Sequence, residues 1–237
     1  MLILRNLLFY LAFYLGSFFY TSAAVIVAPF DRETLRRVVR GWSRYHRGCA
    51  RYLLGCKLRI EGAVSDKPVL YAFRHESFFE AIDMPAQFTN PSVFAKKELF
   101  DIPLWGRGAA AFGLVPVARS DGAKALMAMV RAAKELHREG RPLVIFPEGT
   151  RMPHGQRSEL RSGFAGLYKL LGLPVVPVAV DSGPLYHRFL KRRGTITYRF
   201  GEELPPGLQR AEIEARVEDA MNALNHRPPP IDPPAER

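Results

Sequence analysis

Cysteine is scarce in this sequence of 237 residues, and so are several common signatures of catalysis. The two cysteines, Cys49 and Cys56, have neither zinc-ligand nor disulfide-framework spacing, so we expect free thiols in a reducing compartment. No Gly-x-Ser-x-Gly segment occurs, which excludes the usual setting of a serine nucleophile on a strand-to-helix turn. No internal repeat stands out, so a solenoid or propeller is not expected.

Acidic residues are also in deficit, with 23 Asp and Glu against 34 Lys and Arg and a formal net charge of +11. Such a charge favours a negatively charged partner, which could be nucleic acid, an anionic membrane surface or a phosphorylated substrate. Hydrophobic residues make up 48% of the chain, enough for one sizeable core and too little for a second. We therefore expect one globular domain with an appendage.

The N-terminal segment favours a membrane as the partner. From Leu2 to Phe30 the only charged residue is Arg5, and this run is long enough to cross or enter a bilayer as a helix. A cleaved signal peptide is the alternative, although the apolar run is longer than the usual core of such signals. The Arg and Lys that follow the run predict an inner-membrane protein with its globular part on the cytoplasmic side. Nucleic acid is disfavoured by this segment and by the lack of a recognisable binding module.

A second helix is expected just after the apolar run, where arginines alternate with apolar residues from Asp31 onward. This pattern is typical of a basic amphipathic helix on an anionic lipid surface, and the two helices would form a membrane-docking hairpin. The alternative is that the apolar stripe of this helix packs on the domain core. The predicted organisation is a membrane-docking segment at 1–56, a globular domain at 57–226 and a proline-rich, disordered tail at 227–237.

The globular segment alternates short β-type runs with helical patterns, which is the rhythm of an α/β domain. Seven strands are expected, with the sequences KLRIEG, PVLYAF, SVFAK, GLVPVA, PLVIFP, PVVPVAV and TITYRFG. Helices are expected near 78–88, 104–112, 121–139, 162–171 and 212–224, the third of them capped by Asp121. The prediction is a single domain with a central, mostly parallel sheet flanked by helices.

The segment RHESFFE follows the strand VLYAF directly, where functional residues of parallel sheets tend to lie. Ser77 and Glu80 have the spacing of a capping box, so the helix should start at Ser77 and leave His75 in the preceding loop. Folded back over the first turn, His75 can meet Glu80, whereas Glu76 and Asp83 are expected to have ordinary helix-start and surface roles. The alternative is that Glu80 only completes the cap.

A second polar segment, VIFPEGTR, also ends a buried strand. Gly149 permits close backbone approach, Thr150 offers a donor and Arg151 can bind a phosphate in a bidentate manner. With Glu148, these residues are predicted to bind a polar substrate. The alternative is that Glu148 and Arg151 form an ion pair that stabilises the turn.

With these segments the sequence resembles the glycerolipid acyltransferase family, and most closely its bacterial lysophosphatidic acid acyltransferases. The family's first block is His, four residues and Asp, which HESFFE matches with Glu80 in place of Asp. The second, a glycine and a short strand ending in arginine, is similar to FGLVPVAR with Gly113 and Arg119. The third, FPEGTR, is intact, and the fourth, a strand with a central proline, is similar to VVPVAV around Pro177.

The resemblance implies transfer of an acyl chain from acyl-CoA or acyl carrier protein to the sn-2 hydroxyl of lysophosphatidic acid, with no metal or other cofactor. His75 would be the general base and Glu80 the carboxylate that orients it. Arg119 and Arg151 would neutralise the acceptor's phosphate, with Lys96 or Lys97 as helpers unless these lysines are only solvated. Another acceptor, such as lyso-ornithine lipid, and a catalytically inactive lipid-binding protein are the alternatives.

The match to the family departs from its pattern beside the base. Glu80 is one methylene longer than the family's Asp, which leaves its closeness to His75 open. Arg74 adds a cation next to His75, where it could lower the pKa of the base or contact phosphates of the donor.

Overall fold

The computed structural model describes residues 1–117, 122–157 and 159–225. The helices are α1 Leu2–Val27, α2 Arg32–Cys49, α3 Phe78–Gln87, α4 Trp105–Phe112, α5 Gly122–Arg138, α6 Ser162–Leu171 and α7 Arg210–Met221. The strands are β1 Cys56–Glu61, β2 Leu70–Phe73, β3 Ser92–Lys96, β4 Val115–Val117, β5 Leu143–Ile145, β6 Val175–Val180 and β7 Gly194–Phe200. Short π-helical turns cover Ala50–Leu54 and Gly183–His187, and a 3-10 turn covers Lys97–Asp101.

The strands form one sheet in the order β1-β7-β6-β2-β5-β3-β4. Strands β6, β2, β5, β3 and β4 run parallel, while β7 is antiparallel to β6 and carries β1 parallel to itself. The α/β fold expected from the sequence is confirmed. The carboxyl ends of the five parallel strands therefore meet at one edge, which we call the carboxyl edge.

The central strands are buried on both faces, as parallel sheets require. Alternate residues of β2 enter two cores: Tyr71 and Phe73 pack with α3 and the N-terminal helices, and Leu70 and Ala72 pack with α5, α6 and α7. This burial fixes the register of β2. It also holds the residues immediately after β2 at the carboxyl edge.

The two N-terminal helices form the expected hairpin, and one face of α2 packs on the domain. Its buried side chains face the domain, where Ser43 donates a hydrogen bond to Ile82 O at 2.7 Å and accepts one from Ala86 N at 3.0 Å. Arg47 of α2 binds Asp83 of α3 through two contacts of 2.7 Å. The alternative that α2 packs on the domain core is thus correct: Leu35, His46 and Cys49 on its inner face are buried, and polar contacts with α3 add to this packing.

Helix α1 presents an apolar face to solvent instead. The exposed side chains on it include Leu4, Leu8, Leu11, Leu15, Phe18, Phe19 and Ile26. Its inner face packs on α2, where Tyr45 donates to Ala12 O at 2.7 Å and Trp42 donates to Ser17 Oγ at 2.9 Å. By length and composition α1 could cross a membrane, and in the described part of the chain it is the one such helix.

The other elements follow the sequence closely, and all seven expected strands form. Both cysteines are free and buried. The predicted cap Asp121 and the predicted tail 227–237 lie outside the described residues.

Candidate active site

His75 lies in the loop between β2 and α3, at the carboxyl edge. Helix α3 begins as predicted, because Ser77 is its N-cap and forms a full capping box with Glu80. This start leaves His75 outside the helix, so that its ring can turn back over the first turn. His75 Nδ1 and Glu80 Oε1 are 3.0 Å apart.

The Glu80 carboxylate is fully buried and accepts five hydrogen bonds. Oε1 accepts from the His75 ring and from the backbone N–H groups of Glu76 and Ser77, at 2.7 and 2.6 Å for the latter two. Oε2 accepts from the hydroxyls of Ser77 and Ser182 at 2.9 and 2.7 Å. Burial alone would raise the pKa of Glu80, but His75 and these donors more than offset it and lower the pKa. Glu80 is therefore ionised at neutral pH, and the same carboxylate serves as cap and as histidine partner.

Three further contacts fix His75. Its backbone N–H donates to Glu148 Oε2 at 2.8 Å, and its carbonyl accepts from Met152 N at 2.7 Å. Its ring packs on Phe146, with 4.4 Å between ring centroids. Since the side chain is 17% exposed and Nδ1 faces Glu80, the opposite nitrogen, Nε2, is left as the candidate base.

Arg74 is completely buried, and all five of its N–H donors are used inside the protein. It donates to Glu76 Oε1, Glu148 Oε1 and Asn222 Oδ1 at 3.0, 3.1 and 2.8 Å. It also donates to the carbonyls of Pro153 and Gln156 at 3.3 and 2.6 Å. The suggestion that Arg74 contacts phosphates of the donor is therefore wrong. Arg74 holds Glu148, which in turn holds the backbone of His75.

The expected minor roles of Glu76 and Asp83 are wrong as well, because both are fully buried. Glu76 accepts from Arg74, from Gly183 N at 2.9 Å and from the ring of His154 at 3.0 Å. Asp83 forms the bidentate pair with Arg47. The three carboxylates after His75 thus bind different groups, and through Gly183, Ser182 and Arg47 they connect the start of α3 to the end of β6 and to α2.

Replacing Arg74 by methionine is expected to lower the free energy of unfolding by about 3–5 kcal/mol, because two buried carboxylates would lose their cation. Chemical denaturation in detergent measures this. The matched control is Arg157→Met, which removes an exposed guanidinium from Glu218 and Asp219 and should leave the stability almost unchanged, because exposed ion pairs contribute little. Equal stability losses in the two variants would contradict the role given to Arg74.

The FPEGTR segment divides into an inner and an outer part. Glu148 is 3% exposed and faces Arg74 and His75, so it positions the base from within the protein and does not face solvent. Gly149 has φ +69°, a left-handed conformation that favours glycine. Thr150 and Arg151 are exposed, and the Arg151 guanidinium lies 4.2 Å from the ring centroid of Phe78. Arg151 is thus a solvent-accessible cation close in sequence to Met152, which binds His75.

The other expected site residues are spread more widely. Lys96 and Lys97 are exposed at the end of β3 on the carboxyl edge, and Lys96 pairs with Glu98 at 3.4 Å. Gly113 ends α4 with φ +97°, and a Cβ there would collide with Arg141. It precedes β4 and so lies at the opposite edge of the sheet from His75. Arg119 lies outside the described residues.

Sequence reasoning missed Ser182, which follows β6 and reaches Glu80 from the other side of β2. It also missed His154 and His187, which bind the side chain and the carbonyl of Glu76. The only available signal was the position of Ser182 just after a buried strand. In the described residues, no group of three or more His, Cys, Asp and Glu side chains is arranged to hold a metal ion.

The His75–Glu80 pair lies at the carboxyl edge of the sheet, where functional residues of α/β folds tend to lie, and the comparisons with known proteins specify the class. The model of the Acyltransferase family matches residues 57–181, more than half of the chain and inclusive of His75, Glu80 and FPEGTR. The chain therefore belongs to this family and is an acyltransferase.

Curated relatives carry a more specific name. The 1-acyl-sn-glycerol-3-phosphate acyltransferase of Pseudomonas aeruginosa is 29% identical over 84% of this chain and 79% of its own length. The protein of the same name from Helicobacter pylori is 34% identical over 48% of each chain. The crystal structure of the 1-acyl-sn-glycerophosphate (LPA) acyltransferase PlsC from Thermotoga maritima superposes with a TM-score of 0.73. It covers 96% of this chain and 99% of its own at 24% identity, and it supports the fold.

Proposed function

We propose that this acyltransferase moves a fatty acyl chain from a thioester donor to the sn-2 hydroxyl of lysophosphatidic acid and so makes phosphatidic acid. The main support for this proposal is the His75–Glu80 pair at the carboxyl edge, with the exposed cation Arg151 in the neighbouring loop. The names of the relatives from Pseudomonas aeruginosa and Helicobacter pylori support the acceptor.

In the proposed reaction, His75 acts as the general base. Nδ1–H donates to Glu80, so Nε2 carries a lone pair that can take the proton of the acceptor hydroxyl. The hydroxyl oxygen then forms a bond to the thioester carbonyl carbon, and collapse of the tetrahedral intermediate breaks the carbon–sulfur bond. The thiolate leaves and receives the proton from His75. The charge of Glu80 stabilises the imidazolium while it exists.

The acceptor phosphate is assigned to Arg151, with Arg119 and the exposed Lys96 and Lys97 as further candidates from the sequence. Arg151 suits this role because stacking on Phe78 holds its planar guanidinium in place while leaving it open to solvent. The donor is acyl-CoA or acyl carrier protein. No other cofactor enters the proposed reaction, since His75 can activate the hydroxyl by itself.

We also propose that α1 docks the enzyme on the cytoplasmic face of the inner membrane. Both ends of α1 are held on the domain: Arg5 donates to Leu53 O at 2.9 Å, and near the other end Ala24 is buried where α1 contacts α4. A helix held at both ends lies alongside the domain, so its exposed apolar face would enter one leaflet. Such a surface is expensive to leave in water and favours a lipid environment.

The triple variant Leu8→Ser, Leu15→Ser and Phe18→Ser should bind vesicles at least about 100-fold more weakly, because three exposed apolar side chains would no longer enter the lipid. Cosedimentation with vesicles of phosphatidylethanolamine and phosphatidylglycerol measures this affinity. Met127→Ser on α5, at a residue 53% exposed, is the control and should bind like the unmodified protein. Unchanged binding by the triple variant would refute docking through α1.

The proposed activity is tested with purified protein on vesicles, given acyl-CoA or acyl carrier protein as donor. Lysophosphatidic acid, lyso-ornithine lipid and lysophosphatidylcholine are compared as acceptors by mass spectrometry of the products. The proposal expects phosphatidic acid to form fastest. Preference for an acceptor without a phosphomonoester would reject the assignment of Arg151, and no product from any pair would favour an inactive lipid-binding protein.

A further inference from the structure

Lys191 is a buried cation in the segment between the second π-helical turn and β7. It is 8% exposed, and its Nζ donates to the carbonyls of Tyr186 and Arg188 at 3.1 and 3.3 Å. The ammonium lies 4.1 and 5.4 Å from the ring centroids of Tyr186 and Tyr10. Within residues 1–117, 122–157 and 159–225, no carboxylate forms an ion pair with it. A buried charge without a counter-ion is costly, so this position favours binding of an anion.

The placement of Lys191 is precise, because α1 holds its backbone. Lys191 N donates to Asn6 Oδ1 at 2.8 Å, and Asn6 Nδ2 donates to Lys191 O at 2.9 Å. Asn6 is itself buried in this mostly apolar helix. The preceding turn also contacts the active-site loop, where His187 Nδ1 donates to Glu76 O at 2.9 Å. Lys191 therefore lies between the lipid-facing helix and the loop that carries His75.

Arg151 is a second cation, connected to Lys191 through a run of aromatic side chains. Burial lowers the pKa of Lys191 to about 8, and the positive charge of Arg151 contributes to this lowering. Arg151 stacks on Phe78, and the ring of the next residue, Phe79, contacts the ring of Tyr186. The Lys191 ammonium lies over the other ring of this contact, that of Tyr186. An anion that contacted both Arg151 and Lys191 would offset the repulsion between their charges.

An apolar surface begins beside this pair. Phe189 and Leu190 are 77% and 39% exposed, and Phe189 stacks on Tyr10 of α1 with 5.1 Å between ring centroids. A ligand that suits both surfaces has a doubly charged anionic group close to an acyl chain. We propose that Lys191 and Arg151 together bind the phosphate of the lysophospholipid acceptor, whose acyl chain follows Phe189 toward α1. This inference rests on the proposed function and identifies a second residue that sets its acceptor specificity.

Binding without a donor tests this site apart from catalysis. Titration calorimetry in detergent with lysophosphatidic acid should give a Kd about 10–100-fold higher for Lys191→Met than for the unmodified protein, since one charged hydrogen bond is lost. Methionine preserves the packing against Tyr186 and Tyr10. The matched control is Arg192→Met, which removes an exposed charge one residue away and should change the Kd less than about 2-fold. A Kd for Lys191→Met like that of the control would overturn the proposal.

Kinetics add two readouts that a structural role would not move. For Lys191→Met, KM for lysophosphatidic acid should rise while kcat changes little. The unfolding temperature should change little, because the loss of contacts with two carbonyls and two rings is offset by removal of a buried charge. In the unmodified enzyme KM should rise between pH 7 and 9 as Lys191 loses its proton, and this rise should be absent in the variant. The groups that face Lys191 are Tyr10 of α1, His46 of α2, Cys56 of β1, Tyr186 and Arg151.

The outcomes separate this inference from the proposed function. Binding of lysophosphatidic acid that depends on Lys191, without any acyl transfer, would support the site and reject the reaction. Acyl transfer by Lys191→Met with unchanged KM would support the reaction and reject the site. A loss of kcat together with a fall in the unfolding temperature would also reject it, because it would assign Lys191 to packing.

Discussion

His75→Ala is expected to reduce kcat/KM for acyl transfer by about 10³-fold, the middle of the range for loss of a positioned general base. The alanine variant keeps its backbone N–H, so the contact with Glu148 and the loop conformation should survive. What it loses is Nε2, the atom placed to take the proton of the acceptor hydroxyl. Initial rates of phosphatidic acid formation measure the effect, and binding of lysophosphatidic acid should remain within about 3-fold, since the phosphate is bound elsewhere.

The matched control for this variant is His137→Ala on α5, a histidine remote from the carboxyl edge. Its activity should stay near that of the unmodified enzyme. If His75→Ala kept more than about a tenth of the activity, general base catalysis by His75 would be rejected. An unfolding temperature close to that of the unmodified protein is needed for either result to count.

Glu80→Gln is expected to lower kcat by about 10²-fold, because the amide is uncharged and cannot stabilise the imidazolium. The amide oxygen can still accept from the N–H groups of Glu76 and Ser77, and its NH₂ group can donate to the hydroxyls of Ser77 and Ser182. The cap should therefore persist, and the loss should be in activity more than in stability. Steady-state kinetics and thermal unfolding, measured on the same preparation, separate the two effects.

Glu80→Asp is the companion variant, because it keeps the charge and restores the residue of the family's pattern. It should lose less than about 10-fold in kcat, although its shorter side chain weakens the five hydrogen bonds. If Gln and Asp were tolerated equally, Glu80 would be a helix cap and no more. If Asp were the worse of the two, reach and not charge would decide the role of Glu80.

Local signals in the sequence were sufficient for the centre of the site. The alternation of apolar runs predicted the seven strands, and the capping-box spacing of Ser77 and Glu80 predicted that His75 would lie outside α3. Once the helix starts at Ser77, the pairing of His75 with Glu80 follows from the geometry of one turn. The start of α3 and the pairing of His75 with Glu80 both depend on residues within six positions of each other, so a single sequence is sufficient to predict them.

Long-range partners could not be read in this way. The donors of Arg74 reach residues 148, 153, 156 and 222, and Glu76 binds Gly183, so their burial depends on loops far away in the chain. In the sequence alone, Arg74 and Glu76 resemble a solvent-exposed ion pair, and only the three-dimensional fold shows that both are buried. The same reason explains α2, whose arginine pattern suggested a lipid surface although Arg47 pairs with the buried Asp83.

The departure of Glu80 from the family's Asp has a physical account in this structure. The longer side chain reaches the N–H groups of Glu76 and Ser77 and still contacts the ring of His75. Ser182 fills the remaining acceptor position of the carboxylate from the end of β6. The extra methylene is therefore accommodated by the capping box, and the distance to His75 remains that of a hydrogen bond.

Acyl transfer by the purified protein on vesicles, with labelled acyl-CoA or acyl carrier protein and lysophosphatidic acid, decides whether His75 catalyses this reaction when it is compared with transfer by His75→Ala. We expect labelled phosphatidic acid from the unmodified protein and about 10³-fold less from the variant. Equal rates from the two proteins, or no two-chain product with either donor, would contradict this expectation.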